Sequence, residues 1–155
     1  MRILINTIVN KYLKKYHKAG EIPYVSSTAI NNGVDGFISN NDGVRMFENC
    51  LTIANSGSVG ATFYHSYSFV AIDLVTKLEN DELSEHTHKF ISVLMNRMGA
   101  KYSFNREIND ARIKREKIML PVNQAGNPDY EFMENYMKRL EYQKIQQYLS
   151  TKTRN

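Results

Sequence analysis

The stretch Gly20-Glu21-Ile22-Pro23-Tyr24-Val25-Ser26-Ser27-Thr28-Ala29-Ile30-Asn31-Asn32-Gly33-Val34-Asp35-Gly36-Phe37-Ile38-Ser39 decides the fold. Pro23 excludes a helix interior, because its ring fixes φ and removes a backbone donor. Ile22 to Ser26 therefore reads as a short strand. Asn31-Asn32-Gly33 is a turn signal, since Asn and Gly tolerate positive φ. Val34 to Ser39 reads as a second strand. A polar loop between two strands is thus written into the chain near its start.

Working outward, residues 3–18 place Ile5, Ile8, Val9, Tyr12, Leu13 and Tyr16 at steps of three and four. That spacing predicts one face of a helix, with Gly20 as its stop. On the other side, Asn40-Asn41-Asp42-Gly43 predicts a turn and Cys50 to Ala54 a strand. A small-residue loop follows at 55–60, then strands at Ala61–Tyr64 and Tyr67–Asp73. Ser84 caps a predicted helix running to about Met98, with Phe90, Ile91, Leu94, Met95 and Met98 on one side and Gly99 as its end. Lys101 to Lys117 is polar and basic and begins as a loop. Lys117 to Leu120 predicts a short strand closed by Pro121. Asn127 as cap and Pro128 as first residue predict a last helix of about 20 residues, roughly 30 Å long. Its apolar stripe is Phe132, Met133, Tyr136, Met137 and Leu140, with Ile145, Tyr148 and Leu149 further on. The expected class is α+β, with the last helix projecting from the body.

The chain of 155 residues and 17.9 kDa fits one domain with a real core. No run reaches the length of a membrane span, and no signal peptide is expected, so the expected compartment is the cytoplasm. A single cysteine, Cys50, excludes an internal disulfide and a multi-cysteine zinc site. Charge is unevenly placed: residues 1–20 carry net +5, residues 21–86 net −7, residues 87–117 net +5 and residues 118–155 net +1. Such a split predicts a basic face suited to phosphates and a separate acidic face.

The enzymatic motifs fail one by one. Gly57-Ser58-Val59-Gly60 lacks the Lys-Ser/Thr of a P-loop, the dinucleotide glycine pattern and the nucleophile elbow. His86 and His88 are two apart and diverge on a helix, so they cannot share a metal; solvated surface positions are expected for both. Cys50 heads an apolar strand and is expected to be a core thiol. Asn127-Pro128-Asp129-Tyr130 is similar to the Asn-Pro-Pro-Tyr motif of adenine methyltransferases, but its third residue is Asp and no Gly-rich cofactor loop precedes it. No Asp or Glu has Lys two residues later, so the metal-dependent nuclease pattern is missing. No catalytic residue, cofactor or metal is expected.

Three blocks taken in order carry a resemblance. The first is Gly20 to Thr28 with Asn31-Asn32-Gly33-Val34 and Gly36-Phe37-Ile38. The second is Leu51-Thr52-Ile53-Ala54 with Gly57 to Gly60 and Phe63-Tyr64. The third is Lys117-Ile118-Met119-Leu120-Pro121 followed by Gly126 to Met133. Over roughly residues 7–141 the chain resembles the target-recognition domains of restriction-modification systems, found in type I specificity subunits and in the specificity parts of type IIG and type IIB enzymes. The resemblance implies a non-catalytic DNA-reading module with a twisted mixed β-sheet and a long C-terminal helix. It implies a globular domain over 1–127, a helix over 128–150 that packs on a second copy or on a methyltransferase subunit, and a frayed tail at 151–155. The implied partners are double-stranded DNA and a modification subunit, with a homodimer through the helix residues Phe132, Met133, Tyr136, Met137 and Leu140. No membrane is implied.

Within that frame the loops supply the candidate DNA contacts. Ser26, Ser27, Thr28, Asn31 and Asn32 follow the first strand, and Ser56 and Ser58 flank Gly57. Lys101, Tyr102, Asn105 and Arg106 form a basic-aromatic loop. Asn can bond adenine through two atoms, Ser and Thr serve several bases, and Arg or Lys takes guanine or phosphate. A competing expectation is the same fold used as a protein-binding decoy or inhibitor of a defence complex, which the acidic half would suit.

Overall fold

The computed structural model describes residues 17–102 and 107–152. The helix expected over 3–18 falls almost wholly outside them.

Seven strands, two longer helices and one short one make up the described chain. They are β1 (Ala19–Val25), β2 (Val34–Ile38), β3 (Arg45–Phe47), β4 (Cys50–Ala54), β5 (Thr62–His65), β6 (Phe69–Ala71), β7 (Val75–Leu78), α1 (Glu85–Asn96), α2 (Asp110–Ile113) and α3 (Tyr130–Lys152). The class is α+β, with the strands divided between two sheets. One is mixed, in the order β2-β1-β6-β3, and the other is antiparallel, in the order β5-β4-β7.

Pro23 sits in a strand flanked on both sides, which a proline normally cannot do. The register explains it. Pro23 pairs with Phe37 of β2, but β6 joins β1 only at Tyr24 and Val25. At Pro23 the strand still has one neighbour.

Gly20 is not a helix stop. It lies in β1 where the register against β2 slips between Ala19 and Ile22, and a Cβ there would stand 2.4 Å from the Ser39 nitrogen. The glycine serves a close backbone approach.

β4 is buried along its whole length, as its unbroken apolar run requires. Leu51 and Ile53 face a core with Leu78, Ile91, Met95, Met98, Ile108 and Ile113, while Cys50 joins Val25, Phe47, Phe69, Ala71 and Val75. Ser84 caps α1, its hydroxyl accepting from the Thr87 amide at 3.2 Å. Arg45 ties the sheets together, donating to the Ile72 carbonyl at 2.6 Å and the Val75 carbonyl at 3.0 Å.

Four further expectations are corrected. Lys117 to Leu120 forms no strand; Ile118 and Leu120 pack on the core without pairing to a sheet. The last helix is capped by Asp129 rather than Asn127: its carboxylate accepts from the Phe132 amide at 2.9 Å. Pro128 stands outside the helix, in an isolated bridge to Val122. His88 is buried, not solvated, stacked on Tyr64 with its Nδ1 donating to the Ser84 carbonyl at 3.0 Å.

Candidate nucleic-acid interface

The first candidate loop leaves β1 at Ser26 and returns to β2 through a 3-10 turn, Asn31–Gly33. Asn31, Asn32 and Gly33 all have positive φ, at 50°, 54° and 82°. Three consecutive left-handed residues reverse the chain tightly, which only Gly and Asn do at low cost. The turn is closed by Ser26 donating to the Gly33 carbonyl and Gly33 donating to the Ile30 carbonyl, both at 2.9 Å.

The second loop leaves β4 at Asn55. Gly57 and Gly60 take φ of 62° and 86°. The Ser58 amide donates to the Ser27 carbonyl at 2.9 Å, and a Cβ on Gly57 would stand 2.9 Å from that same oxygen. The first two loops are therefore in backbone contact, and Gly57 is what lets them meet.

The third segment follows α1. Gly60 and Gly99 touch: a Cβ on Gly60 would lie 2.6 Å from the Gly99 Cα. Asn96 fixes this approach with its amide, accepting from the Thr62 N–H at 2.8 Å and donating to the Thr62 carbonyl at 2.7 Å. Further along the chain, the Ile108 amide donates to the Asn55 carbonyl at 3.0 Å. Loops 26–33, 55–60 and the segment from Gly99 thus form one contiguous rim. Asn55 and Asn96 are the rim residues that were not among the expected site residues. Only Asn55, at the head of a Gly-Ser loop, carries a local signal.

On this rim Asn31 and Asn32 are exposed, and Ser26, Ser27, Thr28 and Ser58 are half-buried. Ser56 is buried at 9% exposure. Lys101 is exposed and its Nζ stands 3.1 Å from the Glu116 carboxylate. Tyr102 is buried at 8% exposure, its hydroxyl donating to the same carboxylate, so its ring is spent on packing rather than on the surface. Asn105 and Arg106 lie outside the described residues.

The acids sort by position along β4. Glu48, Glu79 and Asp81 line a hollow at the Cys50 end, the opposite end of the strand from loop 55–60. Neither loop 26–33 nor loop 55–60 contains an acidic residue.

The described residues hold no group of His, Cys, Asp and Glu arranged for a metal. Burial pushes the Cys50 thiol up to about 12, so it carries no thiolate at neutral pH. His65 is wholly buried, its Nε2 paired to the Thr52 hydroxyl at 2.8 Å and its Nδ1 to the Tyr67 hydroxyl at 3.1 Å; burial lowers it to about 4. No described helix is long and apolar enough to cross a membrane.

On α3, Met133 is fully buried, and Tyr136 packs edge-on against Phe90 of α1 at 5.8 Å. Met137 and Leu140 are half-buried, and Phe132 is exposed. His86 on α1 bonds Glu141 at 2.8 Å. Beyond Glu141 every described residue of the helix is exposed, including Tyr142, Ile145, Tyr148 and Leu149.

The chain is thus a two-sheet α+β body whose Ser/Asn/Gly loops share one rim, joined to a long helix. The family model of the type I restriction modification DNA specificity domain matches residues 5–149, and the chain belongs to that family. The family is a DNA specificity domain of restriction-modification systems. The chain is 39% identical over 126 residues to a protein of Heyndrickxia coagulans described as the type II restriction enzyme BgcI specificity subunit S.BcgI. That alignment covers 80% of this chain but 37% of the relative, so the chain spans well under half of the relative's length.

Proposed function

We propose that the rim of loops 26–33, 55–60 and the segment from Gly99 reads a sequence in duplex DNA and so directs a methyltransferase or restriction complex to its site. The observation that carries this reading is the backbone contact between Ser27 and Ser58, which merges two polar, acid-free loops into one surface. Asn31 and Asn32 are the exposed amides on it, with Ser26, Ser27, Thr28 and Ser58 beside them and Lys101 at the phosphate-facing margin. Ser56 and Tyr102 are buried and offer this surface little. Asn105 and Arg106 are further candidate base and phosphate contacts by residue type.

The part up to residue 127 is the reader, and α3, Tyr130–Lys152, is the partner-facing element. Its first half is engaged by α1, which leaves the second half for a modification subunit or a second copy. Two copies would imply a palindromic bipartite target. The working compartment is the cytoplasm, where the DNA of a restriction-modification host lies.

The test is binding of the purified chain to a randomised duplex pool at low and physiological salt, with and without a candidate modification subunit. A motif retained at physiological salt supports the reading, and dependence on the subunit names the partner. Salt-sensitive, sequence-blind binding or none overturns it in favour of a protein-binding decoy.

A further inference from the structure

Ile30 is 70% exposed in the middle of the first reading loop, where its neighbours from Ser26 to Asn32 are otherwise small or polar. Its backbone is fixed on both sides. The Ile30 amide donates to the Thr28 hydroxyl at 3.2 Å, and the Ile30 carbonyl accepts from Gly33 at 2.9 Å. Ser26 closes the loop onto Gly33, and Ser27 is anchored to Ser58. A β-branched side chain with few rotamers thus stands in water on a loop that cannot easily fold it away. With Phe37, which is also exposed, Ile30 borders an open hollow of about 510 Å³ whose other walls include Thr28, Asn31, Val34 and Asp35.

The next residue, Asn31, is exposed and carries an amide that can donate and accept at once. In the major groove an A·T pair presents two features side by side: the N6 and N7 atoms of adenine, which match an amide, and the 5-methyl group of thymine, which matches an aliphatic side chain. We infer that Ile30 and Asn31 together read one A·T pair, with Asn31 on the adenine edge and Ile30 on the thymine methyl. Ile30 is then a specificity-determining residue of apolar type. The inference rests on the reading of the rim as a DNA surface and adds the base pair that one part of it selects.

Uracil differs from thymine by that methyl group alone. The experiment takes the motif enriched by the chain, in whichever form enriched it, and replaces each thymine in turn by deoxyuridine. Affinities are measured for the wild type, Ile30→Ala and Asn31→Ala. At one A·T pair, deoxyuridine should weaken wild-type binding about fourfold, the worth of one buried methyl. Ile30→Ala should bind the thymine and uracil duplexes alike. Asn31→Ala should lose discrimination between A·T and G·C at the same pair. A wild type indifferent to deoxyuridine at every position overturns the inference without reference to any variant, and so does an Ile30→Ala protein that keeps the full uracil penalty. Failure to enrich any motif is a separate result: it removes the DNA reading itself, and this inference with it.

Discussion

The amide of Ser58 donates to the carbonyl of Ser27 at 2.9 Å, and Gly57 lies against that same carbonyl with a φ of 62°. One hydrogen bond and one missing side chain therefore set the spacing of two loops from different sheets. Gly57→Ala adds a Cβ where Ser27 stands and forces a left-handed alanine, which costs about 1–2 kcal/mol in backbone terms before the clash is counted. Urea unfolding should show at least that loss. Sequence-specific binding should fall further than stability does, because the loops separate. An unchanged unfolding midpoint would mean that the loops are not tied in this way.

Asn96 joins α1 to β5 by two bonds to the backbone of Thr62. Asn96→Ala leaves a buried edge of β5 without its partner, and removal of such bonds costs about 1–3 kcal/mol. Asn96→Asp restores the acceptor for the Thr62 amide but not the donor, so it should recover part of the loss at most. Denaturant midpoints of the two variants check the order.

Much of this fold was legible in the residues. Pro23, Asn31-Asn32-Gly33 and Ser84 each act within a few neighbours, and each did what its chemistry dictates. The misses have the opposite character. Gly20 as a helix stop and Lys117–Leu120 as a strand were assigned from local pattern, but a bulge against Ser39 and packing without a pairing partner decided them. Asp129 displaced Asn127 as cap because Pro128 was held in a bridge to Val122. At the rim, the polar residues of the loops were visible in sequence. Their meeting was not, because it rests on Gly60 against Gly99 and Ser58 on Ser27, contacts between residues roughly 30 to 40 positions apart.

His65 makes stability depend on acid. Its unfolded value is near 6.5 and burial lowers the folded value to about 4. The folded state binds fewer protons, so this contribution is complete above about pH 6.5 and is lost as pH falls through about 4. The difference is worth on the order of 3 kcal/mol. His88 is lowered by burial too and adds in the same direction. Unfolding free energies measured between about pH 7 and about pH 4.5 should fall more steeply for the wild type than for His65→Asn. Equal slopes would remove His65 from the acid response.

Cys50 is wholly buried, and its thiol is pushed up to about 12. The thiolate is the reactive form, and here it is both scarce and covered. Labelling with a thiol reagent at mildly alkaline pH should therefore be slow in the native protein and fast in denaturant. The labelling rate should track the denaturant dependence of global unfolding. Fast labelling without denaturant would show that the Cys50 end of β4 opens locally.

The two halves of α3 should separate in mutagenesis. Met133 is fully buried against the body, so Met133→Ala should cost about 2–5 kcal/mol of stability. Tyr142, Ile145 and Leu149 recur at helical spacing and are all more than half exposed, so Ile145→Asp should leave the thermal midpoint almost unchanged. If this half of the helix is where a second copy or a modification subunit packs, the same substitution should abolish that association in sedimentation or pull-down. A folded Ile145→Asp that still associates would move the partner surface off the helix end. Met137→Asp is the intermediate case, because Met137 is half-buried in the chain itself. It should lose stability and association together, and so cannot by itself assign the stripe to a partner.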